Sequence, residues 1–91
     1  MKNIDISKFK ISDDAGNILT YLLQKYDSFF ITKKELAKEL GVSYSSIDNF
    51  IFRKYGVPDY KKLGTSKNSK ILFNLIDVAV FMADKTEVQD D

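Results

Sequence analysis

Polar side chains that can pair with nucleic-acid bases recur through residues 43–55. Ser45, Asn49 and Arg53 are spaced four positions apart, so a helix of about 3.6 residues per turn places them on one face. An Asn amide can form two hydrogen bonds with adenine, and an Arg guanidinium can form two with guanine. Asp48 can accept a hydrogen bond from the amino group of cytosine. These residues predict readout of base edges in duplex DNA, with Asn49 as the first candidate and Arg53 as the second.

Two helices joined by a tight turn are predicted to position these side chains. Thr32 and Glu35 match a T-x-x-E capping box, which predicts a helix starting at residue 33. Gly41 favours the end of that helix, and Ser43 is a typical cap for the next one. The second helix, through residue 55, is predicted to stop at Gly56. Its core-facing residues are expected to be Ile47, Phe50, Ile51 and Tyr55, which leaves Ser45 and Asn49 facing outward.

The charge is distributed unevenly along the chain, although the formal net charge is only +1. Residues 33–70 carry nine lysines or arginines against four acidic residues, and residues 71–91 carry one lysine against five. A local excess of positive charge is expected of a protein surface that binds phosphate. The candidate contacts to the DNA backbone are Lys33, Lys34, Ser43, Tyr44, Ser46, Lys61, Lys62, Lys67 and Lys70.

The flanking sequence predicts the remaining elements of a mainly α protein with a small β-hairpin. A first helix is expected over residues 13–26 and a short strand over residues 28–31. Strands at 60–63 and 71–73 surround a polar tip and predict the hairpin. The expected organisation is an N-terminal arm at 1–12, one domain at 13–85 and an acidic tail at 86–91.

The predicted last helix, residues 75–85, carries apolar side chains on nearly all sides. Such a helix must be covered on more than one face. The first interpretation is a homodimer formed through this helix and the helix at 13–26. The alternative is that the helix at 13–26 covers it within one chain.

Phe52 is a large apolar residue that helical geometry turns partly outward. Packing beneath the hairpin is the preferred explanation, because large apolar side chains are usually buried. Contact with the methyl group of thymine is the alternative.

Several kinds of chemistry are disfavoured by what the sequence lacks. It contains no cysteine and no histidine, which removes disulfides, thiol nucleophiles and the usual zinc ligands. No nucleophile motif or glycine-rich phosphate loop is visible. We therefore predict no catalytic residues, no metal and no cofactor. No apolar segment reaches the length of a membrane span, so a cytoplasmic protein without membrane contact is expected.

A longer pattern resembles a known protein group. The series ITKKELAKELGVSYSSIDNFI, then GVPDYKKLG, then a hairpin ending in ILF before NLIDVAVFM, is similar to the winged helix-turn-helix of the excisionase and MerR-like superfamily. The resemblance covers residues 31–83. It implies a three-helix core with a wing and a C-terminal helix, in a small transcriptional regulator or mobile-element accessory factor. The helix at 43–55 would enter the major groove, and the wing at 61–73 would contact the backbone or minor groove.

A different class of binding module stays open from the sequence alone. Winged helices can also act as protein–protein adaptors with little or no DNA sequence specificity. The acidic residue Asp48 opposes phosphate unless it faces a cytosine amino group or a lysine. In the adaptor alternative, the surface around Tyr44, Asp48 and Phe52 binds a protein.

Overall fold

The computed structural model describes residues 10–66 and 69–84. Within these ranges four helices and three strands follow one another along the chain, and the predicted mainly helical class with a β-hairpin is confirmed. The order is α1 (Asp13–Lys25), β1 (Phe30–Thr32), α2 (Lys33–Leu40), α3 (Tyr44–Arg53), β2 (Lys61–Leu63), β3 (Lys70–Asn74) and α4 (Leu75–Ala83). Most of the predicted arm, Lys67 and the predicted tail at 86–91 lie outside the described residues.

Short-range hydrogen bonds explain where the helices begin. The backbone N–H of Glu35 donates to Thr32 Oγ1 at 3.2 Å, and the backbone N–H of Thr32 donates to Glu35 Oε1 at 2.9 Å. The predicted capping box is therefore present at the start of α2. Ser43 caps α3 and Asn74 caps α4 in the same way, each with a side-chain oxygen accepting from a nearby N–H. Each cap satisfies a backbone donor that has no partner inside the helix.

The end of α3 differs from the sequence prediction. The helix ends at Arg53, because Lys54 adopts the left-handed conformation, with φ 63°, two residues before Gly56, whose φ is 85°. The N–H of Tyr55 donates to the carbonyl of Phe50 at 3.1 Å, and the two rings are 6.3 Å apart. With the hydrogen bond from the N–H of Lys54 to the carbonyl of Ile51 at 3.1 Å, this backbone bond forms a Schellman motif, and the contact between the two rings is its apolar contact. Tyr55 therefore leaves the helix and is 55% exposed, so its predicted place in the core is wrong.

The three strands form one antiparallel sheet in the order β1-β3-β2. The predicted hairpin is β2–β3, and β1 adds a third strand on the other side of β3. Ile31 pairs with Phe73 across this added edge. The strand before α2 is thereby hydrogen-bonded to the hairpin, which fixes the hairpin relative to the start of α2.

The core lies between the sheet and the helices, and α1 packs extensively on α4. The largest fully buried side chains are Phe73, Leu19, Leu22, Ile31, Leu36, Ile47, Leu75 and Val78. Val78 and Ala79 of α4 are buried, whereas Val80 on the same helix is 44% exposed. Coverage of α4 by α1 within one chain, the alternative interpretation of this apolar helix, is what the structure shows. A homodimer stays a prediction.

A buried carboxylate joins α2 to the end of α1. Glu39 Oε2 lies 2.7 Å from Lys25 Nζ and also accepts a hydrogen bond from the Tyr26 hydroxyl. Glu39 Oε1 accepts from the Tyr21 hydroxyl at 3.2 Å, and the Glu39 side chain is only 4% exposed. Burial alone would raise the pKa of Glu39, but the hydrogen bonds from Lys25 and Tyr26 outweigh burial and lower it. The charged form of Glu39 therefore stabilises the fold.

Replacing Glu39 by glutamine should lower the free energy of unfolding at pH 7 by about 1–3 kcal/mol, because three donors lose a charged acceptor whose side chain is only 4% exposed. The pKa of Glu39 is lower in the folded state than its ordinary value of 4.5. Its stabilising contribution is thus present above pH 4.5 and is lost as the pH falls through the folded-state pKa. Urea unfolding at pH 7 and at about pH 3 checks this, and the two proteins should differ less at the lower pH.

Asp48→Asn is the matched control for Glu39→Gln. The Asp48 side chain is 50% exposed, and its ion pair lies at the surface. Loss of a surface ion pair should change the free energy of unfolding by less than about 1 kcal/mol. Equal destabilisation by Glu39→Gln at both pH values would contradict the role of the Glu39 charge.

Candidate nucleic-acid interface

The outer face of α3 carries the side chains that were predicted from the sequence to contact bases. Ser45, Asp48, Asn49 and Arg53 are all exposed on this helix, while Ile47 is fully buried beneath them. The exposed positions recur at helical spacing, so one face packs on the core and the opposite face is open to a partner.

Asn49 and Arg53 are available for intermolecular contacts. Across residues 10–66 and 69–84, neither the Asn49 amide nor the Arg53 guanidinium forms a side-chain hydrogen bond or an ion pair. An amide and a guanidinium together offer both donors and acceptors in fixed planar arrangements. The two side chains can therefore form paired hydrogen bonds with a planar ligand edge.

The serines at the start of α3 have a local role. The N–H of Ser46 donates to Ser43 Oγ at 3.1 Å, and Ser43 Oγ lies 2.9 Å from Ser46 Oγ and 3.2 Å from Ser45 Oγ. Ser43 is thus occupied by the helix cap, and Ser46 is half-buried. Of the three, Ser45 is on the same outward face as Asn49.

Lys33 and Asp48 form an ion pair that joins the start of α2 to the middle of α3. Lys33 Nζ lies 2.7 Å from Asp48 Oδ1 and 5.3 Å from the centre of the Tyr44 ring. The hydrogen bond to Asp48 raises the pKa of Lys33, so the lysine stays charged. Pairing offsets the negative charge of Asp48 on a face that otherwise offers polar and cationic groups.

An open groove of about 540 Å³ lies where the starts of α2, α3 and β3 meet. Its lining residues are Thr32, Lys33, Lys34, Tyr44, Ser69, Lys70 and Ile71. The fold thus brings together four predicted backbone contacts, Lys33, Lys34, Tyr44 and Lys70, from three elements. Since Lys33 is paired with Asp48, the net positive charge that favours an anionic group at this groove comes from Lys34 and Lys70.

Other predicted contacts do not line this groove. Lys61 and Lys62 are exposed on β2, and Lys62 pairs with Ile71 of β3. Strand β2 lies on the edge of the sheet opposite β1. Lys67 lies outside the described residues. Thr32, Ser69 and Ile71 also line the groove, although no sequence pattern predicts them as contacts. Only the register of β3 against β1 and β2 could have placed them there.

Phe52 is 84% exposed, so its predicted packing beneath the hairpin is wrong. The physical reason is the position of the hairpin. Strand β3 approaches the first residues of α2 and α3, as the groove lined by Lys34, Tyr44 and Lys70 shows. Phe52 lies more than two helical turns farther along α3 than Tyr44.

A second groove, of about 530 Å³, has the opposite charge. It lies between the start of α1, residues 57–59 and α4, and it is lined in part by Asp59, Asp77 and Asp84. Burial and the nearby charge of Asp59 raise the pKa of Asp77. This acidic surface does not suit a polyanion, so the surface around α3 and the first groove is the better candidate interface.

Ligand-binding chemistry of other kinds has little support in the part of the chain that the structure describes. There, no three acidic side chains are grouped closely enough to hold a metal ion. Every buried side-chain nitrogen or oxygen of residues 10–66 and 69–84 has a hydrogen-bond partner. No helix within the described ranges has the length and apolar character needed to cross a membrane.

Comparison of the chain with protein-family models, curated proteins and solved structures gave no match.

Proposed function

We propose that this protein binds duplex DNA sequence-specifically as a winged helix-turn-helix protein. In this proposal α3 enters the major groove, and the β2–β3 hairpin is the wing, on the backbone or in the minor groove. The biological role is that of a small transcriptional regulator or an accessory factor in mobile-element recombination. The observation that carries the proposal is an exposed helix face on which Asn49 and Arg53 have no partner among the described residues, beside a groove lined by three lysines.

The two parts of this surface suit the two parts of a DNA duplex. Protein–DNA interfaces use phosphate contacts for positioning and base-edge contacts for sequence selection. Lys33, Lys34 and Lys70 line the groove at the start of α3, whereas Asn49 and Arg53 lie farther along that helix. Lys34 and Lys70 supply charge for phosphates, Lys33 neutralises Asp48, and the amide and guanidinium supply paired hydrogen bonds for bases.

The ion pair between Asp48 and Lys33 reduces the repulsion that the Asp48 carboxylate would exert on DNA phosphates. An isolated carboxylate on α3 would repel phosphate, but Lys33 lies 2.7 Å from it. One carboxylate oxygen remains for the amino group of a cytosine, because the pair involves Oδ1. The arrangement favours a DNA surface in which Asp48 contributes to base selection.

The length of the exposed face limits the site that one chain can read. Ser45 and Arg53 are separated by about 12 Å along the helix axis. Base pairs follow one another at about 3.4 Å, so α3 spans about three to four base pairs. A homodimer through α4 and α1 would read two such half-sites arranged as an inverted repeat.

Selection from a randomised duplex library tests the proposal, with the wild type and Asn49→Ala compared. We expect the wild type to enrich one motif and Asn49→Ala to lose preference at one adenine. Affinity for the selected duplex should fall about 5- to 150-fold in this variant, which corresponds to one bidentate base contact. Asn17→Ala is the matched control, because Asn17 is an exposed asparagine on α1.

A protein–protein adaptor is the second candidate function, and the exposed rings of Tyr44 and Phe52 favour it. The adaptor proposal predicts that no motif is enriched at low or moderate salt. It also predicts that retention on duplex DNA or heparin does not depend on salt. Either result would overturn sequence-specific DNA binding.

A further inference from the structure

Phe52 is the most exposed large apolar side chain of the described residues, at 84%. It follows Asn49 by three positions and Ser45 by seven, so all three project from the same side of α3. Covering an exposed phenyl ring with a partner removes apolar surface from water and lowers the free energy of the complex. Because the Asn49 amide has no side-chain hydrogen bond among the described residues, one partner can contact both the ring and this amide.

The neighbouring charges restrict what that partner is. Arg53 and Lys54 follow Phe52 directly, and both are exposed. These charges favour a partner that offers an apolar group close to negative charge. The major groove of DNA has this combination, since the 5-methyl group of thymine lies between two phosphate backbones.

We propose that Phe52 selects thymine by packing against its 5-methyl group, an inference that rests on the proposed DNA-binding function. Three residues along the helix correspond to about 4.5 Å, slightly more than one base-pair step of about 3.4 Å. The selected thymine therefore lies within about two base pairs of the adenine that Asn49 contacts.

Replacement of single thymines by deoxyuridine in the selected duplex isolates this methyl group, because uracil differs from thymine only by its absence. We expect one replacement to weaken wild-type binding about fourfold, which is the change in affinity expected when one buried methyl-sized group is lost. Phe52→Ala should bind the thymine and uracil duplexes equally. Phe52→Leu, which keeps an apolar side chain, should retain part of the discrimination.

The Phe52 variants should fold normally because the side chain makes little contact with the core. Thermal unfolding monitored by circular dichroism verifies this. Phe30→Ala is the control for loss of an exposed apolar ring, since Phe30 is 37% exposed on β1, outside the proposed DNA and dimer surfaces. It should leave the fourfold preference for thymine unchanged.

The outcomes separate this inference from the function on which it rests. Wild-type protein that binds its selected duplex without sensitivity to uracil overturns the role of Phe52 and leaves DNA binding in place. Sensitivity that persists in Phe52→Ala does the same. Failure of the wild type to select any duplex overturns both, and directs attention to a protein partner for Phe52.

Discussion

Raising the monovalent salt concentration from about 50 to about 200 mM should weaken duplex binding by about 10²- to 10³-fold. The groove at the start of α3 supplies Lys33, Lys34 and Lys70, and β2 adds Lys61 and Lys62. If about four to six cations neutralise phosphates, the plot of log affinity against log salt has a slope of about −4 to −5 per bound chain. Fluorescence anisotropy titrations with a labelled duplex at four salt concentrations measure this slope.

Single lysine variants assign the slope to particular residues. Lys34→Ala and Lys70→Ala should each make the slope less steep by about 1, and should weaken binding to all duplex sequences alike. Lys10→Ala is the matched control. The substitution removes one positive charge, as the other two do, but Lys10 lines the acidic groove beside α4. A duplex affinity independent of salt, or an equal effect of Lys10→Ala, would contradict the proposed backbone surface.

Replacing Phe73 by alanine should lower the free energy of unfolding by about 3–5 kcal/mol, the usual cost of removing a buried aromatic ring. Phe73 is fully buried in β3, the central strand, and its ring lies 5.8 Å from that of Tyr60. For a domain of this size the midpoint of thermal unfolding should fall by about 15–30 °C. Circular dichroism during heating, together with urea titration, measures both quantities.

Phe52→Ala is the matched control for Phe73→Ala, because the residue type is the same and the exposure is opposite. Its free energy of unfolding should stay within about 0.5 kcal/mol of the wild type. Loss of less than about 1 kcal/mol in Phe73→Ala would contradict the central position of β3 in the core. The pair of variants also separates stability from binding, since Phe52→Ala is expected to change only the contact with DNA.

The sequence by itself determined the features that depend on residues a few positions apart. Thr32 with Glu35, and Ser43 with Ser46, place the starts of α2 and α3. Such capping contacts join nearby backbone and side-chain groups, so the chain forms them wherever it begins a helix. Helical spacing also identified the outward face that carries Ser45 and Asn49, because periodicity along one helix needs no information about distant residues.

Competition between two local signals limited the prediction at the end of α3. Gly56 does adopt a positive φ of 85°, but Lys54 adopts the left-handed conformation two residues earlier and ends the helix there. The apolar contact between Tyr55 and Phe50 favours the earlier stop, and a glycine rule alone does not include that contact.

The tertiary structure decided which distant residues share a surface. Lys33 and Asp48 are fifteen positions apart, and Ile31 and Phe73 pair across the sheet. These contacts depend on how the chain returns on itself, which neither helical periodicity nor capping encodes. The same packing brings Lys34 and Lys70 to one groove and directs the hairpin toward the start of α3, which leaves the Phe52 ring exposed.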